Sequence, residues 1–275
     1  MKSIVWATHL DVLPLDRTVE RRSDFLVVRS PSNPAHYWGN LLLFDHAPVV
    51  GDALRWEASF HDAFGDDPRI RHRTFAWDQT DGAFGALREE FVSRGYDIDE
   101  SIGLVAEAHE LVAHQRENRE VVVRTLDPAI GADESLWEAV VELAVAGRDD
   151  EFEEESYRAF SRARLEDQRA LFRAGRGSWY LAIDPATGDV VGSCGIVVTA
   201  GRGRFQSVDT ALAHRRRGIS SRLLVEAARH AAEDYGAERF VIVGDAEYFA
   251  VGLYESLGFA RTEHVVGVCL PPRTA

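Results

Sequence analysis

The stretch Arg204-Phe205-Gln206-Ser207-Val208, followed closely by His214-Arg215-Arg216-Arg217-Gly218-Ile219-Ser220, decides how this chain is read. The first run is strand-like. The second opens an amphipathic helix whose apolar set (Ile219, Leu223, Leu224, Ala227, Ala228, Ala231 and Tyr235) keeps one face buried. A strand, a short glycine-containing loop and a helix start make a site for an anion. The first N–H groups of a helix lack intrahelical acceptors, and the helix dipole is positive there. Gly218 has no Cβ to hold a phosphate away from the backbone, and Arg215, Arg216 and Arg217 add positive charge. The pattern points to the pyrophosphate of a nucleotide-derived cofactor. Three adjacent arginines are also what a solvated surface turn contains, so the neighbouring elements must decide.

The chain has 275 residues, enough for one large domain or two ordinary ones, and 45% of them are apolar. A net charge of -14 argues against nucleic acid or an acidic membrane surface as partner. That background makes a local arginine cluster more telling. Cys194 and Cys269 both fall in apolar, strand-like runs, so buried free thiols are expected, and two cysteines cannot build a disulfide framework or a metal site. Asp11, Asp16 and Arg17 interrupt any apolar leader, and no run reaches the ~20 residues needed to cross a bilayer. A cytoplasmic protein is expected.

Strands are predicted at 120–125, 179–184, 190–199, 204–210, 239–243 and 264–270, and helices at 135–146, 151–174, 219–235 and 249–257. Their order is strand, two helices, three strands, helix, strand, helix, strand, which is a mixed α/β sheet of the α+β type. Before residue 119 the chain is more aromatic and less regular. Strands are predicted at 24–29, 37–45, 73–77 and 101–106, and helices at 53–64 and 85–94, with 109–118 helical or linking. From Tyr37 this alternation follows the order seen after Trp179, which suggests a diverged internal repeat with its boundary near 116–120. Trp38, Trp56 and Trp77, with Phe60, Phe64 and Phe75, read as core and not as a base-stacking surface. His109 and His114 are five residues apart and do not form the i, i+4 pair of a helical zinc site.

Arg215-Arg216-Arg217-Gly218-Ile219-Ser220 resembles the acyl-CoA signature Q/R-x-x-G-x-G/A of the GNAT N-acetyltransferase superfamily, with Ser220 in place of the final Gly or Ala. Leu253-Tyr254-Glu255-Ser256-Leu257-Gly258-Phe259 resembles the family's L-Y-x-x-L-G-F segment. With the order of elements, the resemblance covers about 120–270. It implies a GNAT domain at 119–275 and a degenerate GNAT-like domain without a cofactor loop at 1–118. It also implies acetyl-CoA as co-substrate and no metal. Tandem members of the family with one working half are similar to this layout.

By resemblance, the pantetheine arm lies on the backbone of Val208, Asp209 and Thr210, and the pyrophosphate on the loop Arg215, Arg216, Arg217, Gly218, Ile219 and Ser220. Tyr254 occupies the position of the acid that protonates the leaving thiolate, a role that suits a phenol with a pKa of about 10. Many members carry an asparagine seven residues before that tyrosine. Here the position is Glu247, which puts that contact in doubt or supplies a carboxylate instead. Asp209 is the first candidate for a general base and Glu247 the second, and a backbone N–H near Val208 would meet the oxyanion. The expected function is N-acetylation of a primary amine, on a small molecule or peptide, by direct attack in a ternary complex. The alternative is an acyl-CoA-binding sensor without turnover. A homodimer is allowed by this reading and not demanded by it.

Overall fold

Short apolar runs separated by glycine and proline turns become strands and helices throughout the chain. A computed structural model describes residues 1–149, 152–246 and 250–272. The elements are α1 (Ile4–Asp11), β1 (Thr18–Arg21), β2 (Phe25–Arg29), β3 (Leu41–Phe44), α2 (Asp52–Phe64), β4 (Arg73–Trp77), α3 (Arg88–Ser93), β5 (Asp97–Glu107) and β6 (Val122–Thr125). They continue with α4 (Glu134–Ala146), α5 (Glu154–Arg173), β7 (Gly177–Ile183), β8 (Val190–Thr199), β9 (Arg202–Thr210), α6 (Ile219–Tyr235), β10 (Arg239–Asp245), α7 (Ala250–Ser256) and β11 (Ala260–Leu270).

These elements form two units that interleave along the chain. The first takes Met1–Gly103, the end of β10 from Val243, and the chain from Thr262. The second takes Leu104–Ile242 and the chain through α7 to Arg261. Each unit holds a mixed sheet with the same pairing logic. In the first, β1, β2 and β3 pair antiparallel and β3 pairs parallel with β4 across α2. In the second, β6 to β9 pair antiparallel and β9 pairs parallel with β10 across α6. A strand–helix–strand crossover makes a parallel pair possible in both.

The first unit is covered on both faces of its sheet. Phe25, Val27, Leu42 and Phe44 pack with Trp56, Phe60, Phe64, Phe75, Trp77 and Phe91 in one cluster. Val28, Leu41 and Leu43 pack with Val5, Trp6 and Leu13 in another. Alternate residues of one strand therefore serve opposite layers, which explains why β3 (Leu-Leu-Leu-Phe) is apolar throughout. Trp56 stacks on Phe44 at 3.9 Å between ring centres, a pair contributing about 1 kcal/mol beyond its burial. The expected aromatic core is present, with Trp38 packed against the second cluster. β11 extends this sheet by pairing antiparallel with β4, Val268 opposite Phe75.

The structure departs from the sequence reading in the first unit. The predicted strand at 37–45 begins as a 3-10 turn, Tyr37–Gly39, and only Leu41–Phe44 is extended. Asn40 explains the break. Its side-chain amide donates to the carbonyls of Asn33 and His36, and its side-chain oxygen accepts from Ser30 N–H. That local polar network competes with the ladder. The predicted helix at 85–94 likewise starts as a 3-10 turn before α3. α1 and β1 were not predicted. The start of α1 is capped by distant residues: Asp78 accepts from Lys2 and Ser3 N–H, and Glu263 accepts from Ile4 and Val5 N–H.

In the second unit, Gly192 and Gly195 of β8 report the two faces. A Cβ on Gly192 would meet Ile219 of α6, and one on Gly195 would meet Trp179 and Phe172 of β7 and α5. Cys194 and Cys269 are buried and free, as expected from their strand runs. Arg169 of α5 bolts the segment leading into α4. Its guanidinium donates to the carbonyls of Pro128, Ala129 and Ala132, pairs with Glu134 at 2.8 Å, and lies 5.0 Å from the centre of Trp137. Arg169→Ala is expected to lower the unfolding free energy by about 2 kcal/mol, because a buried guanidinium and its contacts with three carbonyls, Glu134 and Trp137 are lost together. Urea denaturation of the variant checks this.

Candidate functional site

The parallel ladder between β9 and β10 is short. It holds three pairs, Arg202 with Arg239, Gly203 with Phe240, and Arg204 with Val241. From Phe205 to Thr210, β9 keeps only its β8 partner among the described residues. Its other edge therefore offers free backbone donors and acceptors, which must find a ligand or water. Along the same segment, Ser207 and Val208 lie opposite the single residue Cys194, and Ser207 has a φ of 44°. This is a β-bulge. Residues 206 and 209 would face opposite sides of a regular strand. The bulge resets the alternation, so Gln206 reaches Gln168 of α5 while Asp209 faces the space between α4 and α5.

Three of the expected site residues, Val208, Asp209 and Thr210, end β9 on this open edge. The chain then makes a 3-10 turn, Leu212–His214, and enters the arginine loop. Arg215 Nε donates to the Thr210 carbonyl at 3.4 Å. The Ser220 hydroxyl sits 2.7 Å from the Thr210 hydroxyl, tying the first turn of α6 to the end of β9. Arg216 and Gly218 both have left-handed φ values, 61° and 74°. Among the described residues, no carbonyl or side chain accepts from the N–H of Arg216, Arg217, Gly218, Ile219 or Ser220. The three arginines are exposed, and within the described residues none has an ion-pair partner.

Gly218 is needed for a reason the sequence did not show. A Cβ there would lie 1.9 Å from the Arg116 carbonyl oxygen, and the Gly218 carbonyl accepts from Asn118 N–H at 3.0 Å. The space beside its Cα is filled by the incoming chain, not kept open for a phosphate. Ile219 is buried beneath the loop.

The helix that follows the first parallel strand of the other unit makes a contrast. α2 also starts after a left-handed glycine, Gly51, with a φ of 93°. Its first residue is Asp52, whose carboxylate accepts from Val49 N–H at 2.9 Å and pairs with Arg55 at 2.9 Å. A carboxylate thus stands in the first turn of α2, where its charge opposes an incoming anion.

Beside the bulge, a cavity of about 210 Å³ opens between α4, α5 and β9. Val140, Val141 and Ala144 of α4 form one wall, and Tyr157, Phe160, Ser161, Arg164 and Gln168 of α5 another. Ser207 and Asp209 supply the strand side. Burial raises the Asp209 carboxyl above its usual range, against the pull of Arg164 and Arg215. Burial likewise lowers Arg164, opposed by Tyr157 and Asp209. The Tyr157 phenol is raised, first by burial and then by Asp209.

Arg164, Gln168 and Tyr157 were missed by the sequence reading. Their spacing carried a signal: 157, 160, 164 and 168 follow the helical i, i+3, i+4 rhythm, so charged and amide groups lie on the buried stripe of α5. Tyr254 is buried in α7 with its ring 6.4 Å from that of Phe259, and it does not line this cavity. Glu247 lies outside the described residues. Among the described residues, no cluster of His, Cys, Asp and Glu could hold a metal, and no helix is long and apolar enough to cross a membrane.

Gly218→Ala is expected to destabilise the second unit by at least about 2 kcal/mol, since it combines a positive φ with a backbone clash. Chemical denaturation checks this, and a wild-type midpoint would contradict it.

The profile of the acetyltransferase (GNAT) family matches residues 137–259, which contain the cavity, the open edge of β9 and the arginine loop. No curated protein matches the sequence. Among solved structures, the fold is similar to that of a functionally unknown conserved protein from Staphylococcus epidermidis, at 14% identity over 94% of this chain and 96% of that one, with a TM-score of 0.71. It is similar to a GCN5-related N-acetyltransferase from Kribbella flavida, at 16% identity over 98% and 96%, with a TM-score of 0.65. It is also similar to a tandem GNAT protein from the clavulanic acid biosynthesis pathway, at 14% identity over 95% and 85%, with a TM-score of 0.56. At these identities the structures speak to the fold, which is tandem-GNAT-like across most of the chain. Residues 137–259 of this chain are an acetyltransferase domain of the GNAT family.

Proposed function

We propose that the second unit transfers an acetyl group from acetyl-CoA to a primary amine, on a small molecule or peptide, with both substrates bound together. The observation that carries this reading is the open backbone edge of β9, running from the cavity to a loop of unpartnered N–H groups flanked by three arginines. The pyrophosphate would be held by the N–H groups of Arg216 to Ser220, with the side chains of Arg215, Arg216 and Arg217 adding charge. The pantetheine arm would pair with β9 at Val208, Asp209 and Thr210. The thioester would then lie near the bulge, beside the cavity that takes the amine. The carboxylate at Asp52 supports a single working site in the second unit.

The chemistry is balanced by groups of this chain. The amine nitrogen attacks the thioester carbonyl, and a backbone N–H near Val208 meets the oxyanion. The nitrogen loses a proton to Asp209, directly or through a water. A carboxylate whose pKa is raised by burial is a stronger base than an exposed one. The C–S bond breaks, and the thiolate takes a proton from Tyr254. Glu247 is kept as a second carboxylate for the same proton.

Isothermal titration with acetyl-CoA and release of free thiol with an amine panel test this reading. Replacing Arg216 and Arg217 together by Glu is expected to weaken acetyl-CoA binding about 100-fold. Tyr254→Phe is expected to lower kcat about 100-fold with little change in acetyl-CoA affinity. Binding without thiol release for any amine would favour the sensor reading, and absence of binding would remove both.

Asp209→Asn separates function from stability. The fold binds the Asp209 proton more tightly than the unfolded chain, so ionisation costs stability as pH rises past the ordinary carboxylate range. The variant should therefore be more stable than wild type at neutral pH, with the gain vanishing below about pH 4, where both states are protonated. Its acetyl transfer should fall. Thermal melts across pH, with turnover assays, check both halves.

A further inference from the structure

α5 carries five arginines, and among the described residues four of them have carboxylate partners. Arg158 pairs with Glu142 and Glu154, Arg162 with Glu138, Arg169 with Glu134, and Arg173 with Glu166. Arg164 is the exception. It lines the cavity, and its hydrogen bond to the Gln206 side-chain oxygen is long, at 3.5 Å. That oxygen is already engaged by Gln168 at 3.2 Å. Asp209 stands on the strand side of the same cavity, too far from Arg164 for a salt bridge and without another ion-pair partner among the described residues. A half-buried guanidinium without a counter-ion is costly, and in a chain of net charge -14 that lack is a placement, not a shortage of acids.

We infer that the acceptor is a small amino acid-like molecule whose carboxylate binds Arg164 while its amine is presented at Asp209. This inference rests on the acyl transfer proposed above. A guanidinium matches a carboxylate with two parallel hydrogen bonds, and Asp209 meets the ammonium before its proton is lost. The wall formed by Val140, Phe160 and Trp179 is apolar and suits an aliphatic or aromatic side chain. The volume of about 210 Å³ is below the ~300 Å³ at which drug-sized pockets begin, which favours one amino acid over a longer peptide. A net charge of -14 by itself favours a cationic acceptor. The cavity itself presents both signs.

The test is ligand-observed NMR and calorimetry on the full chain, with and without acetyl-CoA. The probes are the twenty amino acids and the amines left when each loses its carboxylate. At least one amino acid with an apolar side chain should bind roughly 100-fold tighter than its amine. Arg164→Gln should abolish that discrimination, and Arg164→Lys should restore part of it, which a merely structural role would not do. Equal binding of amino acids and amines, no binding by any amino acid, or discrimination that survives in Arg164→Gln would overturn the inference. The acetyl-CoA titration separates the two levels. Acetyl-CoA binding without amino acid discrimination leaves the transferase reading standing. Discrimination without acetyl-CoA binding removes the transferase reading and keeps the amino acid site.

Discussion

The site depends on the place where β9 stops pairing with β10. After Arg204 and Val241 the ladder ends, and six residues of β9 carry backbone groups that the sheet does not satisfy on that side. Unpaired strand edges are normally a liability. Here the edge ends at the arginine loop with its unpartnered N–H groups, and the bulge at Ser207 turns the strand's polar residues towards one cavity. Open edge, bulge and loop lie on a single continuous stretch, 204–220, so their relative positions are set by a few local torsions and by the Thr210–Ser220 contact.

Charge works locally against the global balance. The chain is acidic, yet the loop before α6 and the cavity beside it hold arginines without carboxylate partners among the described residues. Unpaired N–H groups and arginines would favour a phosphate without demanding a basic protein. The first unit shows the reverse choice at the start of α2, where Asp52 provides the negative charge from within. Two helices that begin from left-handed glycines thus differ in their first residue, an acid in α2 and an apolar isoleucine in α6.

Regular periodicity made much of the second unit legible. α6, β8 and α4 lie where the pattern placed them, because each buries an apolar face and ends at glycine or a polar turn. α1 was not legible, because its start is held by Asp78 and Glu263, far away in sequence. The pairing of β11 with β4 joins residues as distant in sequence as Val268 and Phe75, and no local pattern records it. Within the site, the loop was picked out by its motif, and the positions on β9 only through the family resemblance. Arg164 was not, because a charged residue on a charged helix reads as surface until its neighbours Phe160 and Gln168 show which face it shares. The role of Gly218 was misread for a similar reason: its constraint comes from the backbone of Arg116.

The central claim is that the unpartnered amides at the start of α6 receive the pyrophosphate of acetyl-CoA. Hydrogen exchange of backbone amides, measured with and without acetyl-CoA, tests it most directly. The account predicts strong protection at Arg216 to Ser220, extending along β9 through Val208 to Thr210, and no change at the start of α2. Unchanged exchange across the loop, with acetyl-CoA bound elsewhere, would contradict it.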